Sequence, residues 1–237
     1  MKSVSMRLVV ASALAVALAL AAGAGVMAQD KPKAQIPQPG VPEVVSIEGE
    51  YVRAAYNNEG YVILGYRLAG ASVGEPWMLL DVGGTLRDGV SNQTLQRGAW
   101  SLSTPDGKTI PLPSNEDFQK ANLMALEKRA SVIKDSINYF PSNASGACRI
   151  GYFAELVQRA RAYDQAEFSS HRACLGRLYF PVEGGIQYGQ HYLNVKFQNS
   201  TIRVPFRIFT KEEEKLAKKN YKALKQQVEE AFAPKKK

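Results

Sequence analysis

The stretch that decides the fold is residues 186–210, "IQYGQHYLNVKFQNSTIRVPFRIFT". It contains two runs of alternating apolar and polar residues on either side of Asn199 and Ser200, a pattern typical of two antiparallel strands joined by a turn. A turn at these two residues pairs Phe197 with Ile202, Val195 with Val204, Leu193 with Phe206 and His191 with Ile208. Every apolar side chain then meets another on one face, so we predict that His191 is buried in the core.

The other face of this hairpin is polar. The same register pairs Tyr192 with Arg207 on that face, and both are candidate ligand-binding residues. Pro205 cannot donate a backbone hydrogen bond, which predicts that its strand lies at the edge of a sheet or has no partner at that residue.

The start of the first strand, Gly189–Val195 ("GQHYLNV"), resembles the G-x-Y-x-L-x-V pattern of a late strand in bacterial immunoglobulin-like domains. The resemblance extends back through "LYFPVEGGIQYG", residues 178–189, which fits the strand and loop that precede this pattern. It implies a β-sandwich in which His191 occupies a packing position.

Short apolar segments elsewhere also predict strands, at 50–56, 61–69, 76–82, 97–103, 108–112 and 176–182. The turns "NNEG" and "TPDG" join the first pair and the fourth and fifth segments into hairpins. This spacing favours a sandwich over a βαβ sheet. We predict a mainly β domain over residues 43–210, an immunoglobulin-like antiparallel β-sandwich of about seven or eight strands.

Two helical segments interrupt or follow the strands. Residues 114–140 predict an inserted helix, because Ser114 and Asp117 form a capping box and apolar residues recur at spacings of three and four up to Pro141. Residues 154–168 favour another helix. A C-terminal amphipathic helix should begin at Thr210, which forms a capping box with Glu213.

Residues 1–28 have the features of a secretory signal peptide. Lys2 and Arg7 precede an apolar run, and Val26 and Ala28 occupy the small-residue positions of a cleavage site. Cleavage after Ala28 would give a periplasmic or secreted chain. The alternative is an uncleaved anchor, because the apolar run is long enough to span a bilayer. Residues 29–42 carry four prolines and predict an extended linker.

The chain has two cysteines, Cys148 and Cys174. In an exported protein such a pair predicts one disulfide, and its loop of about 26 residues corresponds to roughly 3–4 kcal/mol of stabilisation.

Positive charge is concentrated in the C-terminal tail. The net charge is +8, and residues 211–237 hold nine lysines against five glutamates. Four lysines lie off the apolar stripe of the helix and form a possible anionic-surface site: Lys218, Lys219, Lys222 and Lys225. An exported chain rarely meets nucleic acid, so we expect a protein or cell-envelope component as partner. The sequence gives no indication of the oligomeric state.

Two motifs match hydrolase patterns, but the sequence around each of them argues against that function. "GASVG", residues 70–74, matches the G-x-S-x-G elbow that would make Ser72 a nucleophile, but a helix should follow it and an apolar run does instead. "LLDVGGTL", residues 79–86, resembles the first motif of the dehalogenase-like phosphatases, with Asp81 as nucleophile. Gly83 stands where that family has a second aspartate.

Other chemistry finds less support. His171, Asp164 and Glu167 are too few and too scattered for a catalytic zinc site, so we expect no metal and no cofactor. Six aromatic residues could stack on sugar rings: Trp77, Trp100, Tyr61, Tyr66, Tyr188 and Tyr192. We therefore predict a non-catalytic binding, adhesion or envelope-assembly module, with a hydrolase using Asp81 or Ser72 as the alternative.

Overall fold

The computed structural model describes residues 44–216 and Asn220. This part of the chain is mainly β, as predicted. Its strands are β1 Val44–Gly49, β2 Val52–Tyr56, β3 Gly60–Gly65, β4 Trp77–Leu86, β5 Gln93–Gln96, β6 Trp100–Ser103, β7 Thr109–Pro111, β8 Gly146–Ile150, β9 Gln165–Phe168, β10 Arg172–Pro181, β11 Gly189–Lys196 and β12 Thr201–Ile208. Its short helices are α1 Arg67–Gly70, α2 Asn115–Lys120 and α3 Met124–Val132, with a 3-10 turn at Arg97–Ala99. Residues 211–216 are helical as well.

The strands form three sheets. The orders are β1-β2-β3-β4-β10-β8, β12-β11-β6-β7 and β5-β9. Among the described strands every pairing is antiparallel except that of β8 with β10. The prediction of seven or eight strands was too low, because β1, β5, β8 and β9 have only four to six residues each, too few for alternation to be distinguished from loop or helix. The edge position of β12 is confirmed, as Pro205 requires.

The six-stranded and four-stranded sheets share one apolar core. Val62 and Leu64 of β3 belong to the same buried cluster as Trp100 of β6 and Val204 of β12. Trp100 is fully buried, and its indole nitrogen donates a hydrogen bond of 2.9 Å to the hydroxyl of Tyr152. Burial of this aromatic and aliphatic surface is the main stabilising contribution to the domain.

The opposite face of the six-stranded sheet is covered by residues 115–140. Ile137 and Phe140 pack against a second cluster formed by Val52, Ala54 and Ile63. Close approach depends on glycine: a Cβ added at Gly83 would lie 2.7 Å from the Phe140 ring. The sheet therefore has a buried face on both sides.

The predicted helix over 114–140 is wrong in extent. The Ser114 cap is confirmed, since its hydroxyl accepts a hydrogen bond from the Asp117 amide, but the helix breaks at Asn122, where φ is 48°. The second helical piece ends at Val132, before Pro141. Residues 133–140 have no helical structure. They cross the sheet, and Ile137 and Phe140 contact its apolar cluster.

The β11–β12 hairpin has the predicted faces but not the predicted register. The pairs are Val195 with Ile202, Leu193 with Val204 and His191 with Phe206, a shift of two residues. The turn spans residues 197–200 and is closed by the Phe197 amide, which donates to the Ser200 carbonyl over 2.8 Å. A shift of two preserves which side chains face the core, so the predicted burial of His191 is confirmed.

Glu59 is distant from this turn in sequence but forms hydrogen bonds to it. Its carboxylate accepts hydrogen bonds from Gln93 Nε2, from the Asn199 amide and from the Ser200 hydroxyl, at 2.7, 3.1 and 2.6 Å. Burial acts to raise the pKa of Glu59, but these donors outweigh it and lower the pKa below its usual value. A carboxylate that is distant in sequence therefore fixes the length of the turn and, through it, the register.

Cys148 and Cys174 form a disulfide, as predicted. They are directly paired residues of the parallel strands β8 and β10. The predicted helix over 154–168 is wrong: the segment consists of turns and loop followed by β9, whose Phe168 packs near Trp100 at a ring separation of 6.4 Å. In the stretch from 44 to 216, no helix has the length and apolar character needed to cross a bilayer.

Candidate functional site

Asp81 is held in a buried ion-pair network. It lies on β4 opposite Arg177 of β10, and the guanidinium contacts the carboxylates of Asp81 and Glu155 at 3.3 Å each. A further guanidinium nitrogen donates 2.8 Å to the Ala130 carbonyl of α3. Burial raises the pKa of Asp81 and of Glu155, and Arg177 opposes the rise in both. The arrangement joins the sheet, α3 and the loop after β8.

The surroundings of Asp81 differ from the phosphatase motif it resembles. Gly83, at the place of the missing aspartate, packs beneath the Phe140 ring. The strand that carries Asp81 has antiparallel neighbours on both sides, β3 and β10, whereas that family requires a parallel sheet. The Asp81 carboxylate is paired with the Arg177 guanidinium.

Ser72 lies in the turn that follows α1. Its side chain is only 2% exposed, and its hydroxyl has no hydrogen-bond partner among the described residues. The helix precedes the serine, whereas a nucleophile elbow places the helix after it. The Ser72 hydroxyl is therefore shielded from solvent in this turn.

The predicted pairing of Tyr192 with Arg207 is wrong. Tyr192 pairs with Pro205, and the guanidinium of Arg203 lies 3.7 Å from the centre of its ring. Arg207 pairs with Gln190 and forms a salt bridge with Glu213 at the start of the C-terminal helix. The two-residue shift in register separates the pair. The four lysines proposed with them, Lys218, Lys219, Lys222 and Lys225, lie outside the described residues.

The six aromatic residues considered for sugar stacking differ in burial, and Tyr61, Trp77 and Tyr192 are half-buried. Trp100 and Tyr66 are buried in the core, while Tyr188 is exposed. Within the described ranges, no three His, Cys, Asp or Glu side chains are grouped so as to hold a metal ion.

A pocket of about 440 Å³ opens where the β6–β7 turn meets the end of β10. Apolar side chains form its walls: Pro105, Ile110, Pro111, Pro181 and Val182. Polar side chains complete the lining: Thr104, Asp106, Lys108, Thr109, Glu183, Gln187 and His191. The volume falls in the range of small-molecule sites, which combine apolar walls with a few polar groups.

Local sequence explains both walls of this pocket. "TPDG" turns β6 into β7, as predicted, and the turn is closed by the Thr104 amide, which donates to the Lys108 carbonyl over 3.0 Å. On the opposite wall, β10 ends at Pro181, and the next amide, Val182, donates to the Pro76 carbonyl over 2.8 Å. Both walls are therefore fixed by backbone hydrogen bonds.

His191 is the most deeply buried residue of the pocket lining. Its side chain is 0% exposed and stacks on Phe206 with ring centres 5.2 Å apart. Nδ1 lies 3.1 Å from the Gly189 carbonyl, and Nε2 has no partner among the described residues. Burial lowers the pKa of His191, against the Gly189 carbonyl and Asp106, so the ring is neutral at neutral pH. Because a carbonyl only accepts, Nδ1 carries the proton and Nε2 keeps its lone pair.

The pocket rim carries more negative than positive charge. Lys108 lies 3.4 Å from the Asp106 carboxylate, which also accepts a hydrogen bond from the Thr104 hydroxyl. That hydrogen bond is the main cause that lowers the pKa of Asp106. Glu183 has no ion-pair partner within the described chain. The rim therefore presents one uncompensated carboxylate beside the neutral imidazole.

Sequence reasoning identified His191 as a core residue but missed the pocket. Its lining comes from residues 104–111 and 181–191. The turn at "TPDG" and strands in both segments were predicted, but not that the two segments meet. No protein-family model matches the chain, and no curated protein or solved structure matches it either. The geometry of the pocket is the basis for a functional proposal.

Proposed function

We propose that this chain is an exported, non-catalytic binding module with the architecture of an immunoglobulin-like sandwich. Its ligand-binding site is the pocket between the β6–β7 turn and the end of β10, and its partner is a protein or another component of the cell envelope. The observation that carries the proposal is a preformed 440 Å³ pocket with apolar walls and a few polar side chains at its rim.

The side chains with catalytic potential support binding over catalysis. A nucleophile must reach its substrate, yet Asp81 is engaged by Arg177 and Ser72 is buried. His191, the third such group, is also buried, and its nearest carbonyl fixes its tautomer. Export is supported by the disulfide, since disulfides persist in oxidising compartments.

The C-terminal helix is proposed to dock on the domain. Thr210 and Glu213 form the predicted capping box, with the Glu213 amide donating to the Thr210 hydroxyl over 3.2 Å. Glu213 also pairs with Arg207, and the Tyr51 hydroxyl donates to Glu214 over 3.0 Å. These contacts support attachment of the first turn to the strands. Binding of the later lysines to an anionic surface remains a hypothesis about residues outside the described part.

A hydrolysis assay tests the non-catalytic proposal. The purified full chain should release p-nitrophenol from p-nitrophenyl phosphate and p-nitrophenyl acetate no faster than buffer does. Asp81→Asn and Ser72→Ala variants should give the same background rate. The proposal would be overturned by turnover that either substitution abolishes while thermal unfolding stays unchanged, because that result would make the substituted residue a nucleophile.

A further inference from the structure

We propose that the loop between β8 and β9, residues 151–163, is a second interaction surface that attaches the domain to an anionic phospholipid bilayer. The loop is separate from the pocket described above, since none of the residues that line that pocket belongs to it. The attachment goes beyond the proposed function, because it concerns where the domain is held and not what the pocket binds.

The two ends of the 151–163 loop are adjacent. The Tyr163 amide donates to the Gly151 carbonyl over 2.7 Å, so the chain leaves the fold and returns to it at one point. Tyr152 and Phe153 are buried in the core, whereas residues 156–159 are all exposed. Closed loops of this kind are compact and are frequently functional.

The base of the loop is fixed to the domain. The Ala154 amide donates to the Asn115 side chain and the Val157 amide to the Glu127 carboxylate, each over 2.9 Å. Glu155 is buried and contacts Arg177. The exposed side chains therefore project from an ordered backbone, and little conformational entropy of the backbone is lost when they bind.

Three apolar side chains of the loop project into solvent. Leu156, Val157 and Tyr163 are 50%, 37% and 54% exposed. Their burial against an outside surface is favourable. Aliphatic side chains enter the boundary between lipid headgroups and hydrocarbon, and tyrosine, with an apolar ring and a polar hydroxyl, is enriched at the headgroup level.

Every exposed charged residue from 149 to 163 is an arginine. These residues are Arg149, Arg159 and Arg161, and none of them forms an ion pair with another described residue. Arg159 has a φ of 51°, where glycine would be less strained, so backbone geometry does not account for an arginine there. Asp164, the residue after the loop, lies close enough to Arg97 to interact with it electrostatically.

The positive charge and the apolar surface are interleaved. A Cβ added at Gly151 would lie 3.1 Å from Arg149 Nε and 3.2 Å from Tyr163 Cδ2, so this guanidinium and this ring lie side by side. Arginine binds phosphate through paired hydrogen bonds. An anionic bilayer supplies phosphate and hydrocarbon together and needs no matching shape, whereas an acidic protein would need pockets for the protruding apolar side chains. The combination favours lipid.

Vesicle binding of the full chain tests the attachment. Vesicles of equal parts phosphatidylglycerol and phosphatidylcholine are compared with vesicles of phosphatidylcholine alone. The double variant Arg159→Gln, Arg161→Gln should bind the anionic vesicles about thirtyfold more weakly than the unmodified chain, the effect of two basic residues at such a surface. Its binding to the neutral vesicles should not change. Equal binding of the variant and the unmodified chain to the anionic vesicles would overturn the proposal.

The double variant Arg87→Gln, Lys196→Gln is the matched control. It removes the same charge from two exposed residues near the β11–β12 turn: the Arg87 amide donates to the Glu59 carbonyl, and Lys196 directly precedes the turn. It should bind the anionic vesicles nearly as tightly as the unmodified chain does. A loss as large as that of the loop variant would overturn the proposal, because binding would then depend on net charge alone.

Leu156→Ser distinguishes lipid from acidic protein. It removes apolar surface and no charge, so it should weaken binding to the anionic vesicles by about fivefold and leave binding to soluble polyglutamate unchanged. An equal loss for both probes, or no loss for the vesicles, would overturn the assignment to lipid.

Amide exchange locates the contact in the unmodified chain. The amides of Gln158 and Arg161 have no hydrogen-bond partner among the described residues. Anionic vesicles should slow their exchange, and neutral vesicles should not. Unchanged exchange at both amides in the vesicle-bound chain would contradict the proposal, because another part of the chain would then make the contact.

Discussion

Replacement of Arg177 by methionine is expected to lower the free energy of unfolding by about 4 kcal/mol. The guanidinium is the counter-charge of Asp81 and Glu155, both of which are buried, so its loss leaves two carboxylates out of water without compensation. It also removes the donor to the Ala130 carbonyl. Urea denaturation of the variant and the unmodified chain at pH 7 measures the difference.

The loss should depend on pH in a defined direction. Burial already raises the pKa of Asp81 and Glu155, and removal of Arg177 raises both further. Carboxyl groups with a raised pKa in the folded state favour folding below the unfolded pKa of about 4, and this contribution is lost as the pH rises. The loss in free energy of unfolding caused by Arg177→Met should therefore become smaller as the pH falls towards 4.

An exposed arginine supplies the control. The Arg172 side chain is 53% exposed and lies 3.9 Å from Glu167, so Arg172→Met should change the free energy of unfolding by less than about 0.5 kcal/mol. The structural role of the Asp81 network would be contradicted if Arg177→Met were as mild as Arg172→Met, or if its deficit were the same at every pH.

Loss of the disulfide should have an effect of similar size. The double variant Cys148→Ser, Cys174→Ser is expected to lose about 3–4 kcal/mol, because the unfolded chain regains the freedom of a loop whose ends are 26 residues apart. The bond also joins β8 to β10, a parallel pair that no short hairpin can connect. Urea denaturation of the double variant measures the loss.

Reduction of the unmodified chain gives an independent comparison. With dithiothreitol it should unfold at the same urea concentration as the double variant, and amide exchange should increase first in β8, which lies at the edge of its sheet. Equal stability with and without reductant would mean that the bond does not constrain the unfolded chain.

The hairpins could be predicted from the sequence because their signals are local. Alternation decided which side chains of β11 and β12 face the core, and His191 is buried as expected. The register could not be predicted in the same way. Glu59 lies 140 residues from Asn199 in the chain, and its hydrogen bonds stabilise the longer turn. Nothing near the turn indicates that partner.

The helix predicted over residues 114–140, the segment that covers the sheet, was wrong in extent for a related reason. Apolar spacings of three and four fit a helix over the whole of 114–140, yet Ile137 and Phe140 only need to reach the sheet. Gly65 and Gly83 allow the chain to lie flat against it: an added Cβ at Gly65 would be 2.7 Å from Asp135 Cβ. Such close approach depends on tertiary packing, as does the meeting of two distant segments at the His191 pocket.

The titration of His191 tests the central claim most directly. The fold places His191 in the core as a buried, neutral imidazole with its proton on Nδ1, and burial lowers its pKa below the ordinary value of 6.5. In ¹⁵N spectra of the full chain, we expect the His191 ring to gain its second proton only below pH 6.5, with Nδ1 carrying the proton of the neutral form. A ring that titrates at or above 6.5, or that carries its proton on Nε2, would contradict the burial of His191 in the hairpin core and its hydrogen bond to the Gly189 carbonyl.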